Sequence, residues 1–297
     1  MKILNLLMIT LLLMTPPFMM AQDNDCDDYQ REDVYNFDTR KYKDLDISIS
    51  YGLGELTIGS NSENNEIQGS IIYDSRRIEP KVTLENVSSS GVLKIKTEKI
   101  SDEDCGKRLR DYENEMEFYF PSDIKTDLFL DFGVGDAEID LTGISVSKLN
   151  INCGLSDVEL EINKRNDVVC KSVNIESGLG DLEVYGLGNL AAKCKRAWGI
   201  TPFNVGLGSA VIDFTGDKIY DADIDVDVGL GSLDMILPDG VNIEIYVDAS
   251  FLSSVDIYGL KKKKNKYWVT PNWDGDNATI SMDVNVGMGS VDIVVED

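Results

Sequence analysis

The chain contains no histidine among its 297 residues. That absence removes imidazole acid–base catalysis and the Ser-His-Asp and Cys-His nucleophile arrangements, and it leaves any structural zinc site to thiolates alone. Thiols are scarce as well: the five cysteines are Cys26, Cys105, Cys153, Cys170 and Cys194, and no two of them form a CxxC pair. Positive charge is in deficit, with 28 Lys and Arg against 53 Asp and Glu and a formal net charge of −25. Phosphate backbones are held by clustered Lys and Arg. The one basic cluster, Lys261–Lys264 with Lys266, reads as a solvated loop tip, so nucleic acid and anionic lipid are excluded as partners. Past residue 21 no apolar run approaches the roughly 20 residues of a transmembrane helix, so no transmembrane segment is expected in the mature chain. No strands alternate with amphipathic helices, which removes the doubly wound α/β folds. The acidity does not imply disorder, because 42% of the residues are hydrophobic and they are regularly patterned.

What is present begins with an export signal. Lys2 precedes an apolar run from Ile3 to Leu13, Pro16-Pro17 breaks it, and Ala21 supplies the small residue before the polar Gln22-Asp23. Residues 1–21 are therefore expected to be a signal peptide, removed from a periplasmic, cell-surface or extracellular protein. Lipid attachment at Cys26 is disfavoured, because Asp23, Asn24 and Asp25 stand where a lipobox has small apolar residues. Removing the signal takes away one lysine and no acid, deepening the charge from −25 to −26.

The informative feature is a repeat. Gly133-Val134-Gly135-Asp136-Ala137-Glu138-Ile139 is echoed by Gly154-Leu155-Ser156-Asp157-Val158-Glu159-Leu160 and by Gly178-Leu179-Gly180-Asp181-Leu182-Glu183-Val184. Further copies start at Gly206, Gly229 and Gly287, a degenerate one at Phe251, and an isolated early one at Gly52. From Gly133 to Gly287 the intervals are 21, 24, 28, 23, 22 and 36 residues, in the range of a solenoid whose loops absorb the differences.

Residues leading into each glycine pair alternate, as in Leu149/Ile151 and Ile224/Val226/Val228, and a second alternating stretch follows, as in Ala137/Ile139/Leu141. These are half-buried strands on either side of a Gly-X-Gly corner. One such unit cannot bury its own apolar face, whereas stacking at about 4.8 Å supplies both ladder bonds and a continuous core. Gly133, Gly154, Gly178, Gly206, Gly229 and Gly287 are thus expected in one structural corner column, with Phe251 in the same column. Between Tyr35 and Pro121 the strand signals are less regular. The fold class expected is all-β: a signal peptide (1–21), an N-terminal antiparallel β module (22–125) and a repetitive stacked-strand β-solenoid (126–297).

Stacking would turn the third-position Asp136, Asp157 and Asp181 and the fifth-position Glu138, Glu159 and Glu183 into rows. Three readings remain open for them: a solvated acidic face, a hard-cation site along Asp136, Asp157 and Asp181, or catalysis. Same-face carboxylates such as Asp136/Glu138 and Asp181/Glu183 lie about 6.6 Å apart on a strand, inside the roughly 5–9.5 Å window of glycosidases. A catalytic pair is normally unique, however, and these recur. No catalytic residue, cofactor or bound metal is therefore expected. Gly186-Leu187-Gly188-Asn189-Leu190-Ala191 fits the dinucleotide fingerprint, but Gly199 and Pro202 cut off the helix it would need; no nucleotide is expected. Cys170 and Cys194 each fall 16 residues after their rung's first glycine, so they are expected side by side, bridged or as stacked thiols. Cys26 is expected to pair with Cys105, leaving Cys153 unpaired.

The stretch from Gly52-Leu53-Gly54-Glu55, through Tyr119-Phe120-Pro121, to Asp131-Phe132-Gly133-Val134-Gly135-Asp136 and its next two copies resembles the N-terminal domain of the bacterial toast rack family. The tail, with Trp268, Pro271, Trp273 and Ile280–Val294, resembles the last rungs of related adhesin-like and cell-wall-stress proteins. That resemblance implies an envelope-associated β-solenoid with an adhesin, scaffold or stress-accessory role and an envelope or extracellular partner, protein or glycan. It supplies no catalytic motif. The chain departs from the stress-response members in lacking transmembrane helices. A carbohydrate-active enzyme using the paired carboxylates stands as the alternative.

Overall fold

The structure is a computed structural model that describes residues 29–61, 65–100, 114–191, 201–217 and 221–296. The expected signal peptide and Cys26, Cys105 and Cys194 lie outside the described residues. Strand β1 is Gln30–Asp38, β2 Asp44–Asn61, β3 Glu66–Asp74, β4 Ile78–Val87, β5 Ser90–Lys99 and β6 Glu115–Pro121. The rungs follow as β7 (Lys125–Asp140), β8 (Val146–Glu161), β9 (Val173–Leu179), β10 (Leu182–Tyr185), β11 (Thr201–Asp213) and β12 (Ala222–Pro238). The chain ends with β13 (Asn242–Ala249), β14 (Ser254–Tyr258), β15 (Lys261–Lys264), β16 (Tyr267–Val269) and β17 (Thr279–Glu296). All belong to one 17-stranded sheet.

A rung is a long strand bent at its glycines. In β7, Leu128, Leu130 and Phe132 are buried before the bend and Ala137 and Ile139 after it. The alternation carries every second side chain inward on both arms. The inward side chains of both arms join one continuous core that runs from Tyr42 to Ile293. Each fully buried Leu, Ile, Val or Phe stabilises such a core by about 1.5–3 kcal/mol. Parallel, in-register pairing holds the rungs to one another: β7 with β8, β8 with β9 and β10, β10 and β9 with β11, and β11 with β12.

The order of stacking departs from the order of sequence at both ends. The early copy at Gly52 is not isolated, because β2 pairs in parallel with β7 from Asp44↔Lys125 to Ile58↔Ile139. It is the rung on which the repeat rests, with β5 and β6 on its other side. At the far end β17 lies directly on β12, from Ala222↔Ile280 to Pro238↔Glu296, and β13 and β14 pair with the opposite edge of β17. Phe251 is consequently not in the glycine column. It sits in a turn between β13 and β14 and is 95% exposed, because four residues, Ser250–Ser253, span the corner where its neighbour β17 uses Gly287-Met288-Gly289.

Antiparallel strands cover both arms at the N-terminal end and one arm at the other. Antiparallel pairs β1–β3, β3–β6 and β4–β5 close the N-terminal end. At the other end β16 pairs antiparallel with β13, and β15 lies outside β16. The lysine cluster is therefore an edge strand and not a loop tip. All four residues of Lys261–Lys264 are exposed, and charge of this kind on an edge strand discourages pairing with another chain. Lys262 Nζ stands 4.6 Å from the centre of the Trp268 ring.

Candidate functional site

The glycine column is built by close approach of backbones. A Cβ at Gly133 would lie 2.2 Å from the Gly52 carbonyl oxygen, and one at Gly154 would lie 2.4 Å from that of Gly133. The same relation links Gly178 to Gly154, Gly206 to Gly178, Gly229 to Gly206 and Gly287 to Gly229, at 2.3–2.6 Å. No side chain fits at those separations. Two residues further on, φ is positive at Gly54, Gly135, Gly180, Gly208, Gly231 and Gly289, and Ser156 occupies the equivalent place in β8.

Three outward columns follow from this corner. The residue between the glycines forms the first: Leu53, Val134, Leu155, Leu179, Leu207, Leu230 and Met288 are register neighbours along it. All but Leu53, which is half-buried, are among the exposed large hydrophobic residues. The second column is Glu55, Asp136, Asp157 and Asp181, continued by Ser209, Ser232 and Ser290; the third is Glu138, Glu159 and Glu183. The sequence indicated the two acidic rows, and it carried the apolar one in plain view as the middle residue of every corner.

The aspartates have a task that sequence reasoning missed. The ladder lapses between β9 and β10, at Gly180-Asp181, and there Asp157 Oδ1 accepts the Asp181 amide at 2.9 Å. One rung on, Asp181 Oδ1 accepts the Ser209 amide at 3.2 Å and also its hydroxyl. Those bonds from Ser209 hold the Asp181 carboxyl below its usual range. The glutamate row behaves oppositely. Desolvation raises the Glu159 carboxyl, and the charges of Glu161, Glu183 and Glu138 add to the rise. Asp225 on β12 is raised by desolvation and by Asp283, Asp227 and Asp223.

The paired carboxylates line an open groove of about 200 Å³ shared by three rungs. Asp136, Glu138, Asp157, Glu159 and Asp181 are exposed there, and half-buried Glu183 accepts a 2.7 Å bond from the Tyr185 hydroxyl. Among the described residues no three Asp, Glu or Cys side chains converge as a metal centre requires. A separate cleft of about 310 Å³ opens near Gly52, Ile78, Thr97 and Asn114. Its buried carboxylate is Asp74, bridged to Arg76 at 2.8 Å. Burial alone would raise that carboxyl, but the Arg76 hydrogen bonds outweigh burial and hold it below the usual range, the reverse of what a general acid needs.

The remaining expected sites are readily placed. Among the described residues Cys153 and Cys170 are buried free thiols, and burial pushes each up to about 12; Cys194, the expected neighbour of Cys170, and the expected pair Cys26 and Cys105 lie outside the described residues. The fingerprint glycines lead into a five-residue 3-10 helix, Leu187–Ala191. Its Asn189 donates to the Ile162 carbonyl at 2.7 Å and accepts from the Asp217 amide at 2.9 Å. The segment thus ties rungs together. Among the described residues no helix is long and apolar enough to cross a membrane.

A stacked, corner-glycine β-solenoid is the class that this geometry defines. The family model described as the N-terminal domain of toast_rack, DUF2154, matches residues 25–185, and the chain belongs to that family. Similar solved structures include a candidate cell adhesion protein from Clostridium sporogenes, 16% identical, covering 90% of this chain and 100% of that one with a TM-score of 0.48. A candidate adhesin from Bacteroides fragilis is 11% identical, with coverage of 89% and 97% and a TM-score of 0.36. One from Parabacteroides distasonis is 12% identical, with coverage of 89% and 97% and a TM-score of 0.27. A comparison with curated proteins found no match.

Proposed function

We propose that the protein is an exported, non-catalytic binding or scaffold protein of the cell envelope, presenting its outer columns to a partner. The observation that carries this reading is repetition. The acidic and apolar side chains that face outward recur on rung after rung in register, which suits an extended contact and gives no one carboxylate pair a setting of its own. The absence of histidine and the ion-paired state of Asp74 beside the N-terminal cleft point the same way. The test is to incubate the purified protein with washed cell envelopes and with an array of glycans, following both retention and release of reducing sugar. Saturable retention without turnover is expected. Turnover that Asp181→Asn or Glu183→Gln abolishes would instead make it a carbohydrate-active enzyme.

A further inference from the structure

Leu53, Val134, Leu155, Leu179, Leu207, Leu230 and Met288 stand in one line along the outside of the corner. Six steps of about 4.8 Å carry the line over about 29 Å. The fold does not require these residues to be apolar. From Val134 to Met288 each points away from the core, Leu155 being 52% and Met288 44% exposed, so a polar side chain would satisfy the corner equally well there. Every one is nevertheless aliphatic. Where the glycine corner is lost, at the turn after β13, Phe251 and Leu252 still project, the latter 61% exposed. A continuous exposed apolar patch on a soluble chain marks an interaction surface.

The flanks say what kind of partner fits. Two residues before the corner glycine, the outward column reads Asp131, Asn152, Glu176, Asn204, Asp227 and Asn285; three residues after it stand Glu55, Asp136, Asp157, Asp181 and then serines. Neither column holds a Lys or Arg on any of these rungs. We propose that this ridge is a docking surface for a cationic protein segment with an apolar stripe, its aliphatic side chains lying on the leucines and its Lys or Arg reaching the carboxylates on either side. A second copy of the chain fits poorly, because joining two ridges would bring identical acidic columns together. An anionic membrane fails for the same reason. The proposal rests on the reading of the protein as a binding protein and names the surface and partner chemistry for it.

The probe is a synthetic 12-residue peptide alternating Leu and Lys, titrated into the purified protein and compared with peptides alternating Ser and Lys or Leu and Glu. The Leu/Lys peptide should bind at least about tenfold more tightly than either control, and it should weaken as salt is raised. Combining Leu155→Ser, Leu179→Ser and Leu207→Ser should weaken it at least about tenfold. Asp131→Asn with Glu176→Gln, a variant that leaves the corner itself untouched, should weaken it and flatten its salt dependence. A thermal midpoint close to that of the unaltered protein shows that each variant is folded. Equal binding by the ridge variant and the native protein would overturn the proposal. So would a native dimer in sedimentation that the ridge variant abolishes, which would assign the ridge to self-association. Should the ridge variant still be retained by envelopes like the native protein, the ridge is wrong while the binding function stands; should neither be retained, the binding function itself falls.

Discussion

At the scale of single residues the glycines divide by what surrounds them. Gly180 has φ +131°, and a Cβ there would lie 2.1 Å from the Ser156 carbonyl oxygen, whereas Gly240 has φ +68° with nothing within 4 Å. Gly180→Val should therefore cost at least about 2 kcal/mol in chemical denaturation, combining a forbidden backbone region with a backbone clash. Gly240→Asn should stay within about 0.5 kcal/mol, since Asn tolerates the left-handed region in open space. Equal losses at the two positions would mean that stacking does not set the requirement. Asp157 is the matching polar case. Asp157→Ala removes the acceptor of the Asp181 amide and should lower the thermal midpoint, while Asp157→Asn keeps an acceptor oxygen and should leave it nearly unchanged. Millimolar calcium should not move the midpoint of the native protein. A calcium-dependent rise that Asp157→Asn abolishes would instead place a cation on the aspartate row.

At the scale of elements, β17 joins two parts of the chain that do not otherwise meet along their arms. Met235 on β12 and Ile257 on β14 both stand in register with Ile293, and Ile293 is fully buried. Ile293→Ala should cost about 2–5 kcal/mol. It should accelerate amide hydrogen exchange in both Leu233–Ile236 and Val255–Ile257 while the β7–β8 pair changes least. Faster exchange in β14 with β12 unchanged would contradict the intercalated position of β17. This element also marks where the sequence stopped being legible. The period-two alternation of Ile280/Met282/Val284/Val286 and the corner at Gly287 are plain in the sequence, but parallel pairing leaves no local trace of which rung lies next to which. Equal spacing suggested that Phe251 would follow Gly229, yet the Gly287 rung has the two glycines needed to lie against the Gly229 corner, and the Phe251 segment has none. Gly52 was similarly recognisable as a corner and not as the partner of Gly133. The lysine strand β15 was hidden because four identical, exposed residues carry no alternation.

Across the whole molecule, the acidic excess sets the response to pH. Glu159 and Asp225 are raised in the folded state by desolvation and by like charges, so in ionised form they oppose folding. Lowering the pH from neutral into the carboxylate range relieves that opposition and should raise the thermal midpoint. Asp181 and Asp74 are held low by Ser209 and Arg76. The stability they contribute is present above the usual carboxylate range and is lost as pH falls through their lowered values. The midpoint should therefore pass through a maximum near the upper part of the carboxylate range and fall in stronger acid, as read by calorimetry. A midpoint that falls steadily from neutral pH would show that the lowered groups dominate. The sites were partly legible at this scale. The acidic rows followed from the repeat because identical residues in register must line up, whereas their hydrogen bonds to the next rung depend on where the ladder lapses at Gly180-Asp181, which no periodicity reveals.

The stacking order on which the columns depend can be read by crosslinking. In-register parallel neighbours bring Cα atoms about 4.8 Å apart, inside the range a disulfide bridges. Leu230 and Met288 are such neighbours despite their separation in the chain, while Phe251, closer in sequence to Leu230, is in the exposed turn on the far side of β17. With Cys153 and Cys170 replaced by Ser, mild oxidation of a Leu230→Cys, Met288→Cys protein should give a bridged peptide in unreduced mass spectrometry, and Leu230→Cys with Phe251→Cys should give none. A bridge between positions 230 and 251, with none between 230 and 288, would contradict the stack.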